Sequence, residues 1–212
     1  MDIATVDKLL TTTRAVKKRL DLNRPVEQDV IEKCLEIAIQ APVGGNIPKY
    51  HFVVITGTEK KIEIAELYRK SLYETYLPHR DPDDIIFTER EELWMRSTLH
   101  LADHLQEVPV LIIPCIEGRW EDPSPWYQAS MYAQIIPAVW SMMLALRARG
   151  LGTSWTTLHL LYEKEVAELL GIPDNITQVA LIPVAYFTGK DFRPASRIPV
   201  QERTYWDGWK SN

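Results

Sequence analysis

Cysteine is scarce in this chain, and the common catalytic signatures are missing from it. Cys34 and Cys115 are the only two among 212 residues, which excludes a disulfide framework and a paired-cysteine metal site and leaves two buried thiols. No G-x-S-x-G elbow, H-E-x-x-H helix, Walker lysine loop or G-x-G-x-x-G turn occurs, so no hydrolase, zinc-protease or phosphate-loop fingerprint is available. His100 and His104 stand four apart on an expected helix without further ligands beside them, and read as solvated histidines rather than a metal site. Excess positive charge is lacking as well: a net charge of −5 and a pI near 5.6 disfavour a nucleic-acid partner. Residues 1–20 carry no uninterrupted apolar stretch, so no signal peptide is expected, and a cytoplasmic protein is. Trp126 to Leu146 holds no charge for 21 residues. Gln128, Ser130, Gln134, Ser141 and Pro137 interrupt it, and its aromatics are not gathered into two end belts, which points to a buried helix rather than a membrane span. A helix apolar nearly all round needs protein on every side, in a core or at a subunit interface.

What is present is local. Arg14, Lys17, Lys18 and Arg19 put four cations in six positions of an acidic chain, a pattern that suits one compact anion such as a phosphate group; the alternative is a solvated face. After Pro25, Val30, Ile31, Cys34, Leu35 and Ala38 recur at helical spacing and stop at Pro42. His51 to Thr56 reads as a strand, Glu59 to about Tyr76 and Glu89 to Leu105 as helices, and Tyr76 to Thr88 as a surface loop. Val110 to Ile116 reads as a central strand, Glu163 to Leu170 as a short helix closed by Gly171, and Gln178 to Phe187 as one last long strand. The tail from Gly189 onward carries Tyr205, Trp206 and Trp209, aromatics that a solvated tail does not need, so it is expected to pack on something, a second subunit included. No linker or repeat divides the chain, and one domain over residues 1–212 is expected. With side-chain nucleophiles and metal ligands missing, the chemistry is expected to be carried by an organic cofactor.

Several short segments, in order, resemble the FMN-dependent nitroreductase family. Thr13-Arg14-Ala15-Val16-Lys17 is similar to its opening Arg-Arg-Ser-x-Arg segment, and Ala41-Pro42-Val43-Gly44-Gly45-Asn46 to its Ala-Pro-Ser-x-x-Asn loop. Tyr50-His51-Phe52-Val53-Val54 resembles its Trp-x-Phe-x-Val strand, and Gly150-Leu151-Gly152-Thr153 its Gly-Leu-Gly-Thr turn. Leu170-Gly171-Ile172-Pro173 and a late arginine, Arg197, complete the series.

The resemblance implies an α+β fold, a mainly antiparallel central sheet flanked by helices, in a homodimer whose C-terminal tails embrace the partner. It implies FMN as cofactor, with NADPH or NADH as electron donor and a small-molecule acceptor. Arg14, Lys17 and Arg197 match the phosphate ligands, a role that suits charge-assisted contacts; Thr13 and Ala15 lie beside them, Ala15 standing where the family has serine. Pro42, Val43, Gly44 and Asn46 would reach the flavin from the second subunit, with Val43 replacing a serine. Thr156, Thr157, Leu158 and His159 would run along the ring, with a backbone N–H near N5. No acid or base side chain is required by a mechanism in which hydride passes from the nicotinamide to N5 and then to a nitroaromatic, quinone or similar acceptor. A flavin-storing protein, with residues 76–92 as a lid, and a same-fold enzyme with another reaction such as dehalogenation are the alternatives. Lys18 and Arg19 fall outside the matched pattern and keep the solvated-face reading.

Overall fold

The computed structural model describes residues 2–79, 88–119 and 124–209, without the side chains of Asn46 and Arg90. Its centre is β2 (Val110–Glu117), which lies between β1 (Tyr50–Ile55) on one edge and β4 (Ile176–Gln178) and β5 (Ile182–Tyr186) on the other, with β3 (Leu151–Thr153) beyond β5. All four strand pairings are antiparallel. Alternation along β2 divides the interior: Leu111, Ile113 and Cys115 point to one apolar cluster, Val110, Ile112 and Ile116 to another. Helices cover both faces, as a sheet buried on both sides requires.

On the first face lie α3 (Thr58–Lys70), α4 (Glu89–His104) and α6 (Glu163–Leu170), bringing Ile64, Tyr68, Leu101 and Val166 to the sheet. A capping box between Thr88 and Glu91 starts α4, and Gly171, at φ +67°, ends α6 in the left-handed conformation that glycine tolerates. The helix expected to reach Tyr76 changes its hydrogen bonding on the way: α3 runs to Lys70 and a π-helical turn, Ser71–Tyr76, continues it. Residues 80–87, the greater part of the expected 76–88 loop and of the 76–92 lid, lie outside the described residues.

On the second face, α2 (Gln28–Ala38) buries Ile31, Cys34 and Ala38 against α5 (Pro125–Ala148). Ser124 caps α5, with Pro125 at its first turn where a missing N–H costs nothing. By length and composition α5 is long and apolar enough to cross a membrane, yet its inner face, Met131, Ile135, Ala138, Val139, Met142 and Leu146, is core of this domain. Its outer face, with Ile136 and Trp140, is exposed, so protein covers one side of it and not all.

Two features depart from the expected element series. Helix α1 (Ile3–Thr12), capped by Asp2, precedes the basic segment. The long strand expected from Gln178 to Phe187 is two strands: Ile113 and Pro114 of β2 face three residues, Val179 to Leu181, so a bulge separates β4 from β5. Pro114 has no N–H to give there, and Leu181 turns away to exchange both backbone hydrogen bonds with Thr156.

Candidate functional site

The basic segment is laid onto the far edge of the sheet. Val16 N donates to Thr153 O at 2.8 Å, Ala15 bridges Thr153, and Asp21 N donates to Tyr186 O at 2.7 Å. This contact needs Gly152: a Cβ there would stand 2.8 Å from the Val16 side chain. Val16 goes inward, which leaves its neighbours on the outer side. Ala15 is exposed and Arg14 half-buried. The Thr13 hydroxyl is used at the end of α1, donating to Leu9 O at 2.6 Å.

Lys17 is half-buried, and loss of hydration pushes its ammonium below the usual lysine range. Its partners are the Thr98 hydroxyl at 2.9 Å and the Trp94 ring, whose centroid lies 5.9 Å away, both on α4. Arg14 donates to Arg193 O at 3.1 Å, so the root of the tail lies beside it. Neither cation meets a carboxylate among the described residues. An anion beside either of these cations, one of them partly desolvated, would gain more than it would in open water. Arg197 is exposed and holds no hydrogen bond or ion pair among the described residues.

Arg19 does not belong to a solvated face. It donates from Nε to Thr188 O at 2.7 Å and from Nη2 to Lys190 O, and its guanidinium lies 5.5 Å and 4.2 Å from the Phe187 and Phe192 rings. Arg147, at the end of α5, meets the same rings at 5.1 and 5.3 Å and pairs with Asp191, which also holds Lys8 of α1 at 3.2 Å. The Phe192 N–H, Arg147 and Lys8 together hold the Asp191 carboxyl down to about 2. These contacts tie the tail root to α1, to the basic segment and to α5. Lys18, by contrast, is exposed.

The glycine loop folds as a short 3-10 turn, Gly44–Asn46, in which Gly45 takes φ +66°. Pro42 and Gly44 are exposed and Val43 half-buried; Asn46's side chain lies outside what is described. Beyond β3, Thr156 is buried and donates its hydroxyl to Leu181 O at 2.9 Å, while Thr157 is exposed and Leu158 half-buried at the start of the 3-10 turn Leu158–Tyr162. The His159 ring is fully buried, neither nitrogen has a protein partner, and burial pushes its pKa down to about 3. It is a neutral core histidine, set away from the exposed Thr157 surface.

Thr98 and Trp94 escape a reading of charges and motifs. Thr98 and Trp94 sit about 80 residues from Lys17 on a helix with no signature of its own, whereas Gly152 stood inside a matched turn. The paired histidines, 4.6 Å apart, carry no metal set: His104 bonds Glu107 at 2.9 Å, and no group of three or more ligand side chains occurs among the described residues. A cavity of about 910 Å³ lies elsewhere, between α6 and the β2–β4 end of the sheet, lined by Arg119, Glu163, Lys164 and Asp174 among others; none of the residues of the basic segment reaches it.

An antiparallel sheet between helical layers is the nitroreductase-like fold. The chain belongs to the nitroreductase family, whose sequence profile matches residues 10–186, and with it to the oxidoreductases. It is similar to 4-nitrobenzoate reductase of a Nocardioides species, at 28% identity with 87% of this chain and 81% of that one covered. It is also similar to iodotyrosine deiodinase of Thermotoga neapolitana, at 24% identity over 92% and 97% of the two chains. Among solved structures it shares the fold of an FMN and NADPH-dependent nitroreductase, NfnB, from a Sphigopyxis species, with a TM-score of 0.70 at 17% identity over 96% and 99%.

Proposed function

We propose that this chain is an FMN-dependent NAD(P)H oxidoreductase that reduces nitroaromatics, quinones or related acceptors. The observation that carries the reading is the pair of uncompensated cations, Arg14 and Lys17, on a segment pinned to β3 in a member of this family. Arg14 and Lys17 would hold the phosphate, with Arg197 of the tail as a third cation brought in when the anion arrives. Thr157, exposed, and Leu158, half-buried, would lie along the ring edge. The Thr156 hydroxyl and main chain are both bonded to Leu181 and His159 is wholly buried, so these two positions would serve only by holding Thr157 and Leu158 in place. FMN, when bound, supplies a centre that takes two electrons from a nicotinamide and passes them to the acceptor. This chain's own part is to bind, orient and neutralise charge, the main chain and the cations favouring an anionic ligand; no side chain is asked to move a proton.

Pro42, Val43, Gly44 and Asn46 would complete the site from a second copy of the chain, in a homodimer formed through the outer face of α5 and the tail. The purified protein is expected to be yellow and to bleach rapidly when mixed anaerobically with NADPH or NADH. A colourless protein that takes up no added FMN would overturn the flavin reading, and a bound flavin that neither nucleotide bleaches would turn it into storage.

A further inference from the structure

We propose that Thr98 of α4 is a positioning residue for the phosphate-binding lysine, holding the Lys17 ammonium toward the anion through its hydroxyl. The inference rests on the flavin reading above and extends it to a residue outside every matched motif. Thr98 is 4% exposed, and its hydroxyl has one hydrogen and two lone pairs to place. The hydrogen goes back along the helix to Trp94 O at 3.0 Å. A lone pair is thereby turned outward, and Lys17 Nζ donates to it at 2.9 Å. The Trp94 ring, 5.9 Å from the same ammonium, closes a second side, and Tyr76 packs edge-on against that ring at 6.4 Å.

A lysine has a flexible four-carbon stem and three donors, so an unheld ammonium in this position would spread over many rotamers. Here one donor is fixed by a neutral acceptor that leaves the charge intact, and two donors remain for an anion. A carboxylate in place of Thr98 would hold the lysine as well but would cancel the charge that the anion needs. A hydroxyl with its own proton already committed holds it without competing. Lys17 and Thr98 belong to opposite ends of the fold's first half, so the contact also links the phosphate to α4, the helix that follows residues 80–87 in the chain.

The test is a double-mutant cycle on FMN affinity, measured by the fluorescence of flavin released on dilution of the holoprotein. Thr98→Val keeps the shape and removes the acceptor; it is expected to raise the FMN dissociation constant about tenfold, as loss of a hydrogen bond to a charged group does. Thr98→Ser restores the hydroxyl and should stay within about twofold of the parent chain. Thr98→Val combined with Lys17→Met should bind FMN about as Lys17→Met alone, because the threonine acts through the lysine. A second readout needs no flavin: acetylation of Lys17 by acetic anhydride, followed by peptide mass spectrometry, should be faster in Thr98→Val, since the protonated amine loses an acceptor. Unchanged FMN affinity in Thr98→Val, or additive effects in the double variant, would overturn the positioning role. Unchanged acetylation of Lys17 in the flavin-free Thr98→Val chain would overturn the contact, and the positioning role with it. A parent chain that takes up no FMN would bring down the flavin reading and the positioning role with it, while the acetylation result would still decide the contact.

Discussion

At the scale of single residues, the site is a balance between side chains left available and side chains used up. Arg14 and Lys17 are available, and replacing Arg14 and Arg197 together by methionine is expected to weaken FMN retention by one to two orders of magnitude, about what two charge-assisted contacts supply. Retention by gel filtration and released-flavin fluorescence measures this, and unchanged retention would move the phosphate elsewhere. His159 is used up by burial, and its consequence is a pH dependence of stability. The unfolded histidine takes a proton below about 6.5, the folded one only near 3. Between those values the unfolded state binds more protons, so stability falls as pH falls, by at most ~1.4 kcal/mol per pH unit from this residue. His159→Leu removes that term and two unpartnered nitrogens, and should raise the thermal midpoint by an amount that grows as pH falls from about 6.5 toward about 3. An identical pH profile in the variant would show that the ring is not held neutral. The cations were legible from sequence as a charge cluster. The burial of His159 and the engagement of Thr156 were not, because both follow from how the Leu158–Tyr162 turn and Leu181 meet across the chain, a tertiary fact with no local pattern.

At the scale of elements, legibility tracked periodicity. Helices α4 and α6 fall where their caps and spacing put them, at Glu89–His104 and Glu163–Leu170, and β1 and β2 lie within a residue or so of the apolar runs that announced them. The bulge between β4 and β5 was hidden because both pieces share one apolar run, and only the pairing of Leu181 with Thr156 breaks it. Arg19 was misread for a similar reason: its partners Thr188, Lys190, Phe187 and Phe192 are about 170 residues distant. The edge contact between the basic segment and β3 makes a sharp prediction. Gly152→Ala places a methyl 2.8 Å from Val16 Cβ, so Val16 must shift and carry Arg14 and Lys17 with it. A loss of ~1–3 kcal/mol, typical of overpacking, is expected in denaturant unfolding, together with weaker FMN binding. Stability lost without any change in FMN affinity would separate the edge contact from the anion site. The tail root gives another. Asp191→Asn weakens the links to Lys8 and Arg147, so trypsin should cut after Arg197 faster than in the parent chain, and equal rates would show that Arg19 and the two phenylalanines suffice to hold the root.

At the scale of the whole molecule, the unanswered demand is for cover. The inner face of α5 is core, but Ile136 and Trp140, four residues apart, are 43% and 42% exposed on the outer face, with Trp126 at 74% beyond them. In the tail, Tyr205 and Trp209 stack on each other at 4.4 Å while Trp206 and Trp209 remain 79% and 84% exposed. A single chain leaves both surfaces in water, and apolar patches of this kind mark interfaces. A second copy would answer both demands at once, because a two-fold contact along α5 would let each tail lie on the other subunit. On the proposed reading it would also bring a glycine loop to close over a bound ring. Ile136→Glu with Trp140→Glu puts charges at the centre of that contact and touches no core side chain. The expected result is a halved mass by light scattering, with the helical circular dichroism signal retained and FMN lost in step with the partner. A variant of unchanged mass would place the interface elsewhere on the molecule. A monomer that keeps FMN as tightly as the parent chain would show instead that Arg14, Lys17 and the sheet edge hold the flavin within one subunit.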